Sequence, residues 1–322
     1  MTTKSGVTQK IPYPENSSFW YGSFSAVWVY HAVPIALLNH ILAAESPSLK
    51  AFEFSDLSND GEPMGLVNIN FMTYSSDSGV NDPQAYADIL KPIHFNDPPP
   101  ASLGIEPTHE CELNIVSYSN ARENMVPQGL TSSEFILGRD HTKTLGNYRL
   151  WVPCDDRIAV YWGMHNFGEN KVMTHPFVYT NPALNNPGAT SWDFTIPAPI
   201  EQSDAKSLFG LKVADLDHMS GVVPGDQSEI IDLSLIPHKA TNPSSQRLVA
   251  SRRNIFGQFK CLVLSADVPI PDFTIEIGSA DHPMVAALMT MFGGSGTYTP
   301  VGLMTYRSPP VISESSLYYV DL

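Results

Sequence analysis

Short runs rich in β-branched and aromatic residues recur along this chain, each closed by turn-forming residues, and that rhythm constrains the fold most. Ser23–Tyr30, Met64–Tyr74, Glu112–Tyr118, Tyr148–Val152, Arg157–Trp162, His175–Tyr179, Trp192–Ile196, Leu208–Ala214, Glu229–Leu235 and Phe256–Leu264 all read as strands. Asn59-Asp60-Gly61, Asn186-Pro187-Gly188 and Pro224-Gly225 supply turns between them. Helical spacing is rarer. Ile35, Leu38, Ile41 and Leu42 share one 3.6-residue face behind Pro34, and Pro283–Phe292 is stopped by Gly293-Gly294. Asp82–Leu90 reads as a further short helix, capped by Asp82 with Pro83 behind it. So few helices among so many strands predict a mainly β protein, a β-rich α+β chain with an antiparallel barrel or sandwich.

Composition narrows the class of partner. Among 322 residues, 43% are hydrophobic and 16% charged, enough apolar material for a sizeable core and too little charge for a solvated, disordered chain. The formal net charge is −15, and no run of Lys or Arg offers a nucleic acid or an anionic membrane a basic footprint. Residues 24–44 are interrupted by His31, Pro34, Asn39 and His40, which is too polar for a membrane span. Cys111, Cys154 and Cys261 form no CxxC pair, which points to a reducing, cytoplasmic setting. Residues 1–17 are expected to be a flexible tail and residues 18–322 a single domain. Exposed sheet edges make a homo-oligomer the expected assembly.

Familiar catalytic signatures are missing. Gly293-Gly294-Ser295-Gly296 follows a helix, whereas a phosphate cradle precedes one, and the chain has no Gly-x-Ser-x-Gly elbow. His109-Glu110-Cys111-Glu112 groups ligand-type side chains, but on a strand His109 and Cys111 take one face and Glu110 and Glu112 the other. No second cluster at ligand spacing completes a metal site there or at Asp215-Leu216-Asp217-His218, so no metal is expected. Cys154 sits beside Asp155 and Asp156, whose charge opposes a thiolate. One stretch differs. Ile158–Tyr179 carries a single lysine, Lys171, amid Trp162, Phe167, Val172, Met173 and Phe177. Burial of an amine among such groups favours its neutral, nucleophilic form. The alternative is a packed stem with its head in water, and Glu169, if close, would oppose the neutral form.

Asp155, Ala159, Gly163, Lys171 and Pro176 follow one another as an acidic start, an apolar run, Gly, a short linker, Lys and then Pro. This order resembles the core motif of the acetoacetate decarboxylase family. Val29-Tyr30 with the helix Ala36–Leu42, Ala51-Phe52-Glu53-Phe54, Asn114–Tyr118 and Leu233–His238 resemble further family segments in the same sequence order. The likeness is strongest over residues 18–180.

The resemblance implies a cone-like β scaffold, no cofactor, and a lysine that forms an imine with a small carbonyl or keto-acid substrate. By position Lys171 is that lysine, Glu53 falls at one family acid position, and Glu110 lies within one residue of the other. Departures are also plain. Val172 stands where family decarboxylases carry a second lysine, Ser23 falls opposite their substrate-carboxylate arginine, and Gly163-Met164-His165 replaces Gly-Arg-Glu. Loss of one charge-assisted clamp costs about 1.5–3 kcal/mol. His165 is the candidate for proton transfer, and Arg149 or Arg122 for the missing cation. Trp162 and Phe167 are expected to line the pocket and exclude water. The expected chemistry is decarboxylation, aldol-type reaction or dehydration. Competing expectations are a small-molecule-binding protein that kept the scaffold without the chemistry, and a structural assembly protein.

Overall fold

The structure is a computed structural model that describes residues 19–77, 107–140, 142, 144–164, 169–182, 188–219, 222–224, 229–236, 247–256, 260–264, 269–308 and 311–320. Its elements begin with β1 (Phe19–Pro34), α1 (Ile35–Glu45), β2 (Leu49–Ala51), β3 (Ser58–Asn59), β4 (Glu62–Asp77) and β5 (Pro107–Ser119). Next come α2 (Ser132–Ile136), β6 (Gly146–Cys154), α3 (Arg157–Trp162), β7 (Lys171–Met173) and β8 (Val178–Thr180). They are followed by β9 (Ser191–Pro197), β10 (Ser207–Ala214), β11 (Val222–Pro224), β12 (Glu229–Ile236), β13 (Arg247–Phe256) and β14 (Lys260–Leu264). The chain closes with β15 (Phe273–Ile277), α4 (Pro283–Phe292), β16 (Gly296–Tyr298), β17 (Gly302–Ser308) and β18 (Val311–Val320). The expected tail at 1–17 and the expected helix at Asp82–Leu90 lie outside the described residues.

Strand pairing builds a large sheet and a small one. In the large sheet β1 pairs with β4, β4 with β5, β5 with β6, β12 with β13 and β13 with β18, all antiparallel, while β6 and β12 run parallel. Because β18 pairs back onto Phe19–Tyr21 of β1, these pairings form a circuit and the sheet curls on itself. The small sheet runs β16-β15-β10-β9-β8.

Alternation sorts the side chains of the large sheet between two faces. Val27 and Val29 of β1, Val67, Ile69 and Phe71 of β4, and Cys111, Leu113 and Ile115 of β5 join a core with Trp192, Phe194, Phe209 and Ile275 of the small sheet. Leu38 and Leu42 of α1 and Met284 and Leu288 of α4 close that core. The opposite face buries Ala26, Trp28, Tyr30, Leu66, Met72 and Tyr306. Arg307 of β17 donates to both Asp215 and Asp217 just beyond β10, clamping the two sheets together.

Three expectations fail on local grounds, and of the expected strand His175–Tyr179 only Val178 and Tyr179 lie in a strand, β8. Arg157–Trp162 is a helix, because the Asp156 side chain caps it by accepting from the backbone N–H of Ala159 at 2.7 Å. β6 and β7 are parallel neighbours, and the crossover that joins a parallel pair is usually helical. Phe256–Leu264 is not one strand: β13 ends at Phe256 and β14 starts at Lys260. The helix Pro283–Phe292 forms as expected, with Gly293 left-handed at φ 73° and its N–H bonded to the Met289 carbonyl. Among the described residues no helix is long and apolar enough to cross a membrane.

Two histidines are packed into these joints. His31 of β1 stacks on Phe292 at 4.9 Å and meets the edges of Phe273 and Tyr298. His282 caps α4 through Nδ1, which accepts from Met284 N–H at 3.1 Å, and lies edge-on to Trp151. Burial lowers the pKa of both, against a raising hydrogen bond to the Thr299 backbone at His31. Both groups take up protons more readily in the unfolded chain, so stability is retained above pH 6.5 and falls as the pH drops below it. Urea midpoints should decline from pH 7.5 to 5.5, and His31→Phe, which keeps the stack, should flatten that decline.

Candidate active site

β5 presents Glu110, Glu112 and Asn114 on the face away from the small sheet, since alternation commits Cys111, Leu113 and Ile115 to the apolar core. On β4, Asn70 stands across from Glu112, Asn68 from Asn114, and Met72 from Glu110. This face is therefore polar at its centre, with apolar groups on the strands around it.

β6 completes it through a bulge. Leu113 pairs with Trp151, but Asn114 pairs with Arg149, so one extra residue is taken up in β6. The shift reverses the parity of β6. Val152 and Cys154 share the Glu110–Glu112 face, and beyond the bulge Arg149 shares it too, while Leu150 enters the apolar core. Asn170 secures the bulge: its Nδ2 donates to the Leu150 carbonyl at 3.0 Å and its carbonyl accepts from Val152 N–H at 3.0 Å. That bond sets the parallel register Val152–Lys171, which turns Lys171 to the same face.

Five charged side chains meet there. Lys171 Nζ donates to Glu110 and lies 3.4 Å from Glu169 Oε2. Arg149 donates to Glu169 and lies 3.0 Å from Glu112 Oε1. Glu112 Oε2 accepts from Asn114 at 2.9 Å and Asn70 at 3.2 Å, and Glu110 Oε2 accepts from the Tyr74 hydroxyl at 3.2 Å. The Lys171 side chain is 5% exposed and the carboxylates of Glu110 and Glu169 are 3% exposed. Gly163 closes over the lysine, for a Cβ at that position would collide with Lys171 Cδ and Cε and with Glu169 Oε2. The glycine is required by close approach, since its own backbone is ordinary right-handed helix.

Neighbouring groups hold the frame. Asp155 accepts from the His109 backbone N–H at 2.9 Å, from its ring Nδ1 at 2.7 Å and from Phe177 N–H at 3.3 Å. It thereby ties β5 to the start of the crossover. Cys154 lies beside the lysine, but burial pushes its thiol well up, against the opposing pull of the Lys171 charge, so it stays protonated. Burial likewise pushes the Tyr148 hydroxyl up to about 12.

The sequence candidates divide accordingly. Lys171, Glu110 and Arg149 come together in one buried network. Glu53 does not join them: it is exposed and lines a separate hollow of about 510 Å³ with Lys50, Tyr118 and Glu123. Phe52 N–H bonds to the Val116 carbonyl, six residues along β5 from Glu110, which is roughly 20 Å of strand. Arg122 sits in the 3-10 helix Asn120–Met125 beyond the same end of β5. His165, Phe167 and the side chain of Trp162 lie outside the described residues. The sequence gives Glu112 no site role, although the spacing Glu110-x-Glu112-x-Asn114 places these groups on one strand face. Glu169 was noted in sequence only as a possible neighbour of the lysine.

The fold is that of the acetoacetate decarboxylase-like proteins. An acetoacetate decarboxylase-like enzyme from Sphingomonas wittichii RW1 matches 96% of this chain over 94% of its own, with a TM-score of 0.52 at 14% identity. Acetoacetate decarboxylase from Legionella pneumophila matches 98% of this chain over 93% of its own, with a TM-score of 0.53 at 11% identity. A further acetoacetate decarboxylase structure reaches a TM-score of 0.55 at 11% identity, covering 96% of this chain and 91% of its own. The likeness is one of fold. No family model matches the chain, and no curated protein matches its sequence.

Removing one partner from a buried ion network strands the other charge, at a cost of about 3–5 kcal/mol. Arg149→Ala, which takes away the cation beside both Glu112 and Glu169, should therefore destabilise the protein by about that amount in urea unfolding, whereas Glu53→Ala, at an exposed position, should change stability by less than about 0.5 kcal/mol.

Proposed function

We propose that this chain is an imine-forming enzyme of the lyase type, with Lys171 as the amine that condenses with a small carbonyl substrate. The observation that carries this reading is a lysine nitrogen almost wholly removed from water and flanked by two buried carboxylates. A nitrogen in that position has both a proton acceptor and a counter-charge at hand.

The chemistry follows from the contacts. Nucleophilic attack requires the ammonium to give up a proton, and Glu110, which accepts its hydrogen bond, receives it. The carbinolamine oxygen then leaves as water, taking back that proton, and the nitrogen becomes a protonated imine. In net terms one ammonium and one carbonyl give one iminium and one water. The iminium is cationic, and Glu110 and Glu169 stabilise it as they stabilised the ammonium. Loss of a group or proton from the adjacent carbon then gives an enamine. Gly163 leaves the lysine stem room to lie beneath the crossover, and Tyr74 orients Glu110.

One observation favours a second reading. Both cations of this network are ion-paired, an arrangement that a non-catalytic small-molecule-binding protein on this scaffold would also tolerate. Covalent trapping separates the two. Incubation with small ketones, aldehydes and keto acids plus cyanoborohydride, followed by peptide mapping, should place the reduced adduct on Lys171. Lys171→Met should abolish it, and Gly163→Ala, which crowds the lysine, should slow it. Absence of an adduct from every carbonyl, with ligand-induced thermal shifts unchanged in Lys171→Met, would leave the binding reading in place.

A further inference from the structure

We infer that the Lys171 site takes an uncharged carbonyl compound, a ketone, aldehyde or ester-bearing ketone, and discriminates against keto acids. This rests on the reading of Lys171 as the imine-forming residue and concerns what that residue accepts.

The charge pattern of the buried network carries the inference. Three carboxyl groups, Glu110, Glu112 and Glu169, face two cationic side chains, Lys171 and Arg149, so the described residues of the network hold one more acidic than basic side chain. Neither cation is spare. Arg149, the candidate clamp for a substrate carboxylate, already donates to Glu169 and lies 3.0 Å from Glu112. Lys171 is held by Glu110 and Glu169.

Reaction with a neutral carbonyl leaves this balance intact, because an ammonium becomes an iminium with the same charge and water departs. A keto acid adds a negative charge within a few bonds of the new C–N bond. That carboxylate comes within about 4–6 Å of Glu110 and Glu169, the range over which like charges act strongly at a desolvated site. It finds no free cation among the described residues to offset its desolvation. The same carboxylates suit a different step. Once the iminium forms, Glu110 or Glu169 can take a proton from the adjacent carbon, leaving a neutral enamine and a protonated carboxyl group. That electron movement belongs to aldol-type or dehydration chemistry and expels no carbon dioxide.

A matched pair of substrates tests this on the unmodified protein. Acetoacetate and methyl acetoacetate share the reacting ketone and differ in the charge of the acid group. Each is incubated with protein and cyanoborohydride, and labelling of Lys171 is divided by labelling of N-acetyl-lysine in the same solution. The ester should label Lys171 about ten-fold or more in preference to the acid. Equal labelling, or preference for the acid, overturns the inference while leaving the imine reading in place. Labelling of Lys171 by neither compound, nor by simple ketones and aldehydes, overturns both. Glu112→Gln removes one charge and releases part of Arg149, so the preference for the ester should narrow in that variant. An unchanged preference in folded Glu112→Gln protein overturns the assignment to charge, and the ratio on the unmodified protein decides if the variant does not fold.

Discussion

Charged groups buried together need opposite charges beside them, and the strands of the large sheet are arranged around that demand. Glu110, Glu112, Glu169, Arg149 and Lys171 are each nearly out of water, where an unpaired charge is far more costly than at the surface. Asn70 and Asn114 donate to Glu112 Oε2 and leave Oε1 facing Arg149, and Tyr74 donates to the same Glu110 oxygen that holds Lys171. The network belongs to no single element. β5 contributes two carboxylates, β6 the arginine, β7 the lysine, and the end of the crossover the third carboxylate. Any shift of one strand against another would separate partners, so charge pairing and strand register reinforce each other.

The bulge in β6 is what makes this possible. A regular β6 would keep Leu150 opposite Asn114 and send Arg149 into the apolar core shared with the small sheet. One additional residue reverses the parity, and Asn170 takes up the Leu150 carbonyl beside it. The residue next to Asn170 is Lys171, so the group that secures the bulge also delivers the lysine. Local irregularity in β6 and the placement of the amine have a common cause.

How much of this the residues announce depends on whether the controlling interaction is local. The strand-rich fold class, α1 and α4 were legible because alternation, a proline at the start and Gly293 at the end act within a few residues. Lys171 was legible as the single lysine of an apolar stretch in a recognisable motif order. The helix α3 reads as a strand because Ile158-Ala159-Val160-Tyr161 has strand composition, while the Asp156 cap and the parallel crossover decide the outcome. The order of family segments points Glu53 to the site. Its distance from the lysine depends on strand pairing between β5 and the segment after β2, which no local pattern encodes. Arg149 was named as a substrate clamp, but its engagement by Glu112 and Glu169 arises from the bulge and from a residue twenty positions away.

On the proposed reading, the nitrogen of Lys171 works between Glu110 and Glu169 inside the curled sheet. A crystal structure of the protein after cyanoborohydride reduction with methyl acetoacetate would test it most directly. The expected result is continuous density from Lys171 Nζ into the adduct, with both carboxylates still flanking that nitrogen. A Lys171 side chain turned out to solvent, or an adduct on a different lysine with the buried network undisturbed, would contradict it.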